Sequence, residues 1–130
     1  MPTEVSVAVA YSPEREKFLV LKRSNKMDLN PGKWNFPSEK IEDESPEMAV
    51  LRELEEETDL VGEIIRNGES FVVDSSGKSF EVHPFLVLVD GDVELNVEHS
   101  DFDWIEASEI PELDAVDDLE KNLDALGVDF

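Results

Sequence analysis

The run Arg52 to Glu57, reading RELEEE, sets Glu53, Glu56 and Glu57 at i, i+3 and i+4. Residues three and four apart are neighbours on a helical surface, so this spacing puts three carboxylates on one face. Unrelieved, each like-charged pair costs roughly 0.2 to 0.5 kcal/mol. A hard divalent cation reverses the sign, because magnesium and calcium select oxygen ligands. A solvated face in an acidic protein fits the spacing equally well. The helix has readable ends: Ser45 can cap it, Pro46 suits its first turn, and the pattern carries it to about Thr58. Val50, Leu51 and Leu54 form its buried stripe, with the charged residues expected around the rest of the circumference.

Strand patterns flank this helix. Alternating Val5, Val7 and Val9, then Phe18 to Leu21, read as a hairpin about Ser12, Pro13 and Glu14. The segment SNKMDLNPGKWNFPSEKIEDES is a loop with a short extended piece around Trp34 to Phe36. After the helix, Glu63 to Arg66, Ser70 to Val73 and Ser79 to Val89 read as strands, the last two joined across residues 75–78. Phe102, Trp104 and Ile105 give another short strand, with Trp104 placed in the core. Asp117 to Leu126 reads as a closing helix with Leu119, Leu123 and Leu126 inward. These elements predict an α/β fold with a mixed, curved sheet, in one domain over 1–130.

Charge narrows the partners. The 33 Asp and Glu against 11 Lys and Arg give a formal net charge of −22. Long nucleic acid is not an expected partner, since a phosphate polymer is bound largely through cationic contacts and no basic run exists here. From Asp90 onward there are fifteen acidic residues and one basic residue, Lys121, which reads as a solvated acidic face. Such an excess repels itself at low salt and is screened near molar salt, so a high-salt cytoplasm is expected. The absence of cysteine removes disulfides and thiolate metal sites. No apolar run approaches the roughly 18 to 20 residues of a membrane span, and the start does not read as a secretory signal. No membrane association is expected, and monomer and homodimer are both open.

The longer pattern SEKIEDESPEMAVLRELEEETDL, from Ser38 to Leu60, resembles the Nudix box, Gly-x5-Glu-x7-Arg-Glu-U-x-Glu-Glu-x-Gly-U with U aliphatic. Glu44, Arg52, Glu53, Leu54, Glu56, Glu57 and Leu60 stand at the required spacing, six of them within nine residues. LKRSNKMDLNPGKWNFP is similar to the family's approach to the box, and VEHSDFDWIEASEI to its late segment. The resemblance implies a Nudix α/β/α sandwich, with a mixed sheet between helices. It also implies a pyrophosphohydrolase acting on a nucleoside diphosphate linked to a second group. Nucleoside triphosphates, ADP-ribose and dinucleoside polyphosphates are all open as substrates.

Carried over position by position, the resemblance implies that Glu56 and Glu57 ligate magnesium or manganese, with Glu53 a further ligand or the general base. Arg52 would orient the glutamates, Glu44 would join the metal shell, and Glu98 matches a late glutamate that some relatives use as ligand or base. Arg23 lies in a segment that faces the substrate in relatives. Trp34 and Phe36 are candidates for stacking on a base, against the packing role that aromatics beside a strand commonly have. His83 and His99 lack a second histidine at ligand spacing and read as structural or exposed.

Both motif glycines are replaced. Ser38 or Glu39, depending on alignment, stands at the first, where glycine permits positive φ and close backbone approach to a ligand. Either substitution would impair the site, or Glu39 would add a ligand. Asp59 stands at the second, where Asp tolerates the left-handed conformation better than most residues. A nucleotide-binding or regulatory module silenced by the altered loop is the second expectation. An acidic calcium-binding protein is a third, without an EF-hand loop to carry it.

Overall fold

The computed structural model describes residues 2–26, 31–75 and 77–130. Part of the 24–45 loop expectation, residues 27–30, lies outside the described residues, as does position 76 in the 75–78 turn.

Among the described residues the central sheet is eight-stranded. β1 (Thr3–Ser12) and β7 (Lys78–Val89) run parallel at its centre, in register from Thr3 opposite Phe80 to Tyr11 opposite Leu88. Among the described residues every other pairing between named strands is antiparallel, which makes the sheet mixed. Each long central strand shares its outer edge between two partners. β1 pairs with β4 (Ser38–Lys40) at Val5 to Val7 and with β2 (Lys17–Arg23) at Tyr11 and Ser12. β7 pairs with β6 (Phe71–Ser75) near its start and with β5 (Gly62–Asn67) near its end. β3 (Trp34–Asn35) and β8 (His99–Ile105) both pair with β2. The expected hairpin and strands are present, with β8 longer than its apolar residues suggested.

Two apolar layers cover the sheet, as the period-two alternation of β1 requires. Val7 and Val9 face a cluster with Phe18, Val20, Leu119 and Leu123, under α2 (Leu119–Leu126). Ala8 and Ala10 face the opposite cluster, with Leu19, Leu21, Val50 and Leu54, under α1 (Pro46–Thr58). Fully burying a Leu or Val side chain contributes about 1.5 to 3 kcal/mol, so these layers hold the helices to the sheet. Trp104 corrects its core assignment: it is half-buried beside the α1-side cluster, with the Arg15 guanidinium 4.3 Å from its ring centroid. A 3₁₀ turn at Ala107–Glu112 leads toward α2.

The ends of α1 follow their residues. Ser45 is the N-cap, its Oγ accepting the Met48 N–H at 3.2 Å, and Pro46 follows in the first turn. Asp59 stops the helix in the left-handed conformation at φ 63°, the conformation expected of it. Ser6 Oγ in β1 donates to Pro46 O at 2.9 Å, which pins the helix start to the sheet.

Candidate active site between α1 and β4

α1 does not present its glutamates to solvent as the sequence suggested. Glu53 is 0% exposed and Glu57 is 1% exposed, while Glu56 alone of the three projects outward, its side chain 52% exposed. The reason is geometric. Val50 and Leu54 set the helix against β1 and β5, and the adjoining face, carrying i and i+4, then closes against the short edge strand β4.

Burial dominates the electrostatics there. It pushes the Glu53 carboxyl up to about 11, with the charges of Glu57 and Glu39 adding to the shift. Burial likewise raises Glu57 well above the usual carboxylate range, reinforced by Glu39 and Glu98. The Glu39 and Ser38 backbone amides lie near enough to pull Glu53 and Glu57 part of the way back, yet none of the four carboxylate oxygens makes a hydrogen bond of ordinary geometry among the described residues. Glu39 is raised too, first by burial and then by Glu98 and Glu56. An unsatisfied buried polar group costs about 1 to 3 kcal/mol, and a charged one more. A cation would satisfy such oxygens, and carboxylates are the donors that magnesium and manganese take.

Arg52 organises the rim. Its Nε donates to both Glu44 carboxylate oxygens at 2.9 and 3.1 Å, and its Nη1 donates to Glu56 at 3.0 Å and lies 3.7 Å from Glu39. The hydrogen bond holds Glu44 below the ordinary carboxylate range and Arg52 above its own.

On the other face of the sheet lies a cavity of about 360 Å³. Val5, Val7, Phe71, Val73, Phe80 and Val82 give it an apolar lining from β1, β6 and β7. Arg23, Ser38, Glu39 and Glu98 also line it, so β4 separates the buried glutamates from the cavity and belongs to both. Burial lowers the Arg23 pKa, while Glu98 and Glu57 raise it, which puts this guanidinium among the site's carboxylates.

Of the expected site residues, Arg52, Glu44, Glu56 and Glu39 form one ion-paired rim, and Glu53 and Glu57 lie buried beside it. Arg23, Ser38, Glu39 and Glu98 meet at the cavity. The aromatic pair is placed otherwise. Phe36 is 1% exposed in the α2-side core, and Trp34 packs half-buried against the same core, so both act in packing rather than at the cavity. Neither Ser38 nor Glu39 has positive φ; both lie in β4, paired with Val7 and Ser6, so the chain accommodates the lost glycine as ordinary strand.

Sequence reading missed Asn35, Asp117, Asp118 and Asn122, which line the cavity. It also missed His99, whose Nε2 lies 3.6 Å from Glu57 Oε1. Burial, helped by Arg23, lowers the His99 pKa to about 4. Among the described residues, Glu4, Glu81 and His83 form a group with ligand atoms within 4.8 Å of one another, whereas the box glutamates are spread more widely. His83 Nε2 lies 3.1 Å from Glu4 Oε1 and 3.9 Å from Glu81 Oε2.

Fold and site together define an α/β sandwich that gathers helical glutamates at an edge strand bordering a cavity. The chain belongs to the NUDIX domain family, whose model matches residues 2–126. It is 37% identical over 99 residues to an ADP-sugar pyrophosphatase of Mus musculus, covering 72% of this chain and 44% of that protein. It therefore spans less than half the length of that relative. Among solved structures it is similar to a MutT protein from Methanosarcina mazei Go1, with TM-score 0.83 and 27% identity over 93% of this chain and 89% of that one. A C. elegans Ap4A hydrolase in binary complex matches with TM-score 0.79 and 21% identity over 96% and 95% of the two chains, a likeness of fold. No helix among the described residues is long and apolar enough to cross a membrane.

Proposed function

We propose that this chain is a divalent-metal-dependent pyrophosphohydrolase acting on a nucleoside diphosphate linked to a second group. The four buried oxygens of Glu53 and Glu57 without a well-formed hydrogen bond among the described residues, beside a cavity of about 360 Å³ that falls within the roughly 300 to 1,000 Å³ of small-ligand sites, carry this reading. The family membership and the ADP-sugar pyrophosphatase relative support the reaction class.

Glu56 and Glu57 would hold magnesium or manganese, with Glu53 beside them. When bound, the ion neutralises charge on the phosphate oxygens and lowers the pKa of an attacking water. Glu53 is assigned as the base. Its carboxyl is held protonated by burial and by its acidic neighbours, and a nearby cation favours the ionised form able to accept a proton. Arg52 ties Glu44 in the loop to Glu56 on the helix and so orients both carboxylates. Arg23 supplies positive charge beside Glu98 and Glu57 for the substrate's phosphates, and the apolar cavity takes the nucleoside or its linked group.

The test is a panel of nucleoside triphosphates, ADP-ribose and dinucleoside polyphosphates, assayed with magnesium or manganese in high salt. Metal-dependent turnover of any member, abolished by chelation, is the expected result. Nucleotide binding without turnover would favour the regulatory reading, for which the wide spread of the box carboxylates is the specific observation.

A further inference from the structure

His99 opens β8 opposite Arg23, and its side chain is only 6% exposed. Its neighbours fix which ring nitrogen carries the proton. Asn96 Oδ1 accepts the Glu98 backbone N–H at 3.2 Å, so that atom is an acceptor. The same oxygen lies 3.2 Å from His99 Nδ1. Two acceptors cannot bond each other, so Nδ1 carries the hydrogen of the neutral ring. Nε2 therefore presents a lone pair toward Glu57 Oε1, which makes no well-formed hydrogen bond among the described residues.

A nitrogen lone pair and a carboxyl oxygen facing each other 3.6 Å apart need something positive between them, either a proton on the carboxyl or a cation held by both. We propose that His99 Nε2 and Glu57 Oε1 ligate one divalent cation, which makes the centre a mixed nitrogen–oxygen site selective for manganese-class ions over magnesium. This rests on the metal reading above and adds a ligand from outside the glutamate-rich helix. Donors each about 2.1 Å from a common ion stand roughly 3.0 to 3.4 Å apart at octahedral to tetrahedral angles, so closure needs only a few tenths of an ångström. Arg23 is the opposing positive charge, and Glu39, Glu53 and Glu98 offset it. The tautomer argument matches how histidine ligands are commonly held, with the non-ligating nitrogen donating to a fixed oxygen. Imidazole suits transition metals, whereas magnesium prefers all-oxygen shells.

The experiment is pulsed electron paramagnetic resonance of the manganese-loaded protein, reading nitrogen hyperfine modulation, with and without nitrogen-15 histidine. The proposal predicts histidine nitrogen coupling in wild type that persists in His83→Gln and disappears in His99→Gln. It also predicts that His99→Gln reduces the preference for manganese over magnesium by on the order of tenfold or more. Manganese binding that depends on Glu57 but shows no nitrogen coupling in wild type would overturn the His99 assignment and leave the metal site standing. Binding indifferent to Glu57→Gln would overturn both. Coupling lost in His83→Gln instead would move the ion to Glu4, Glu81 and His83, and the proposal would fail. A wild-type spectrum without histidine nitrogen coupling decides against the proposal even where a variant does not fold.

Discussion

Arg52 Nε grips both carboxylate oxygens of Glu44 while its Nη1 reaches Glu56 one helical turn on. A residue in the loop before α1 is thereby tied to the helix face that carries the site. Planar, forked donation of this kind belongs to arginine; lysine offers a point charge. Arg52→Lys should therefore fold, keep its charge, and lose metal affinity or turnover by on the order of 10- to 100-fold, the range for residues that orient ligands. Metal titration and steady-state rates check this, and wild-type values in the lysine variant would remove Arg52 from the site.

Glu53 predicts an unusual pH dependence for the metal-free protein. Its folded pKa of about 11 lies far above the ordinary value of 4.5, so the folded state binds a proton that the unfolded chain releases. That contribution is fully present below about pH 4.5 and is lost as pH rises toward 11. The slope is at most about 1.4 kcal/mol per pH unit for one proton. Glu53→Gln removes the titration. The metal-free variant should exceed wild type in melting temperature at pH 8, the gap should close near pH 4.5, and turnover should fall by on the order of 100-fold or more. Denaturation across this range, with chelator, measures the effect.

Arg23 should act on substrate more than on metal, because it lines the cavity beside Glu98 and Glu57. Arg23→Gln is expected to raise KM by about tenfold, as loss of one charge-assisted contact of about 1.5 kcal/mol would. A fall in kcat with KM unchanged would assign it to the chemistry instead.

Much of this arrangement was legible from residues alone. Ser45, Pro46 and Asp59 marked the ends of α1, and the alternation of β1 gave the two-faced sheet. Glutamate spacing identified the helix face but not its burial. Whether i and i+4 meet water depends on β4, an edge strand of three residues that a loop-rich sequence hides. Phe36 was a candidate for stacking on a base against the commoner packing role of an aromatic beside a strand, and its side chain takes the packing role in the core. His99 was passed over for lack of a second histidine, while its neighbours Asn96 and Glu57 lie three and forty-two residues away in sequence. Asp117, Asp118 and Asn122 were read as part of a solvated tail, and only the packing of α2 on the sheet brings them to the cavity.

Salt and site binding should separate cleanly. With a net charge of −22, molar potassium chloride should stabilise wild type and Glu57→Gln alike through screening. Low-millimolar magnesium should stabilise wild type alone, by about 2.7 kcal/mol at a hundredfold excess over Kd. Equal magnesium shifts in both proteins would mean a diffuse acidic surface.

The most direct measurement compares metal-dependent diphosphate hydrolysis in wild type, Glu57→Gln and the double variant Glu4→Gln, His83→Gln, at saturating magnesium or manganese. The α1–β4 centre predicts that Glu57→Gln loses nearly all turnover while the double variant keeps the wild-type rate, since Glu4 and His83 pair with each other away from the cavity lining. Turnover retained in Glu57→Gln and lost in the double variant would contradict the account and place the catalytic metal on the other cluster.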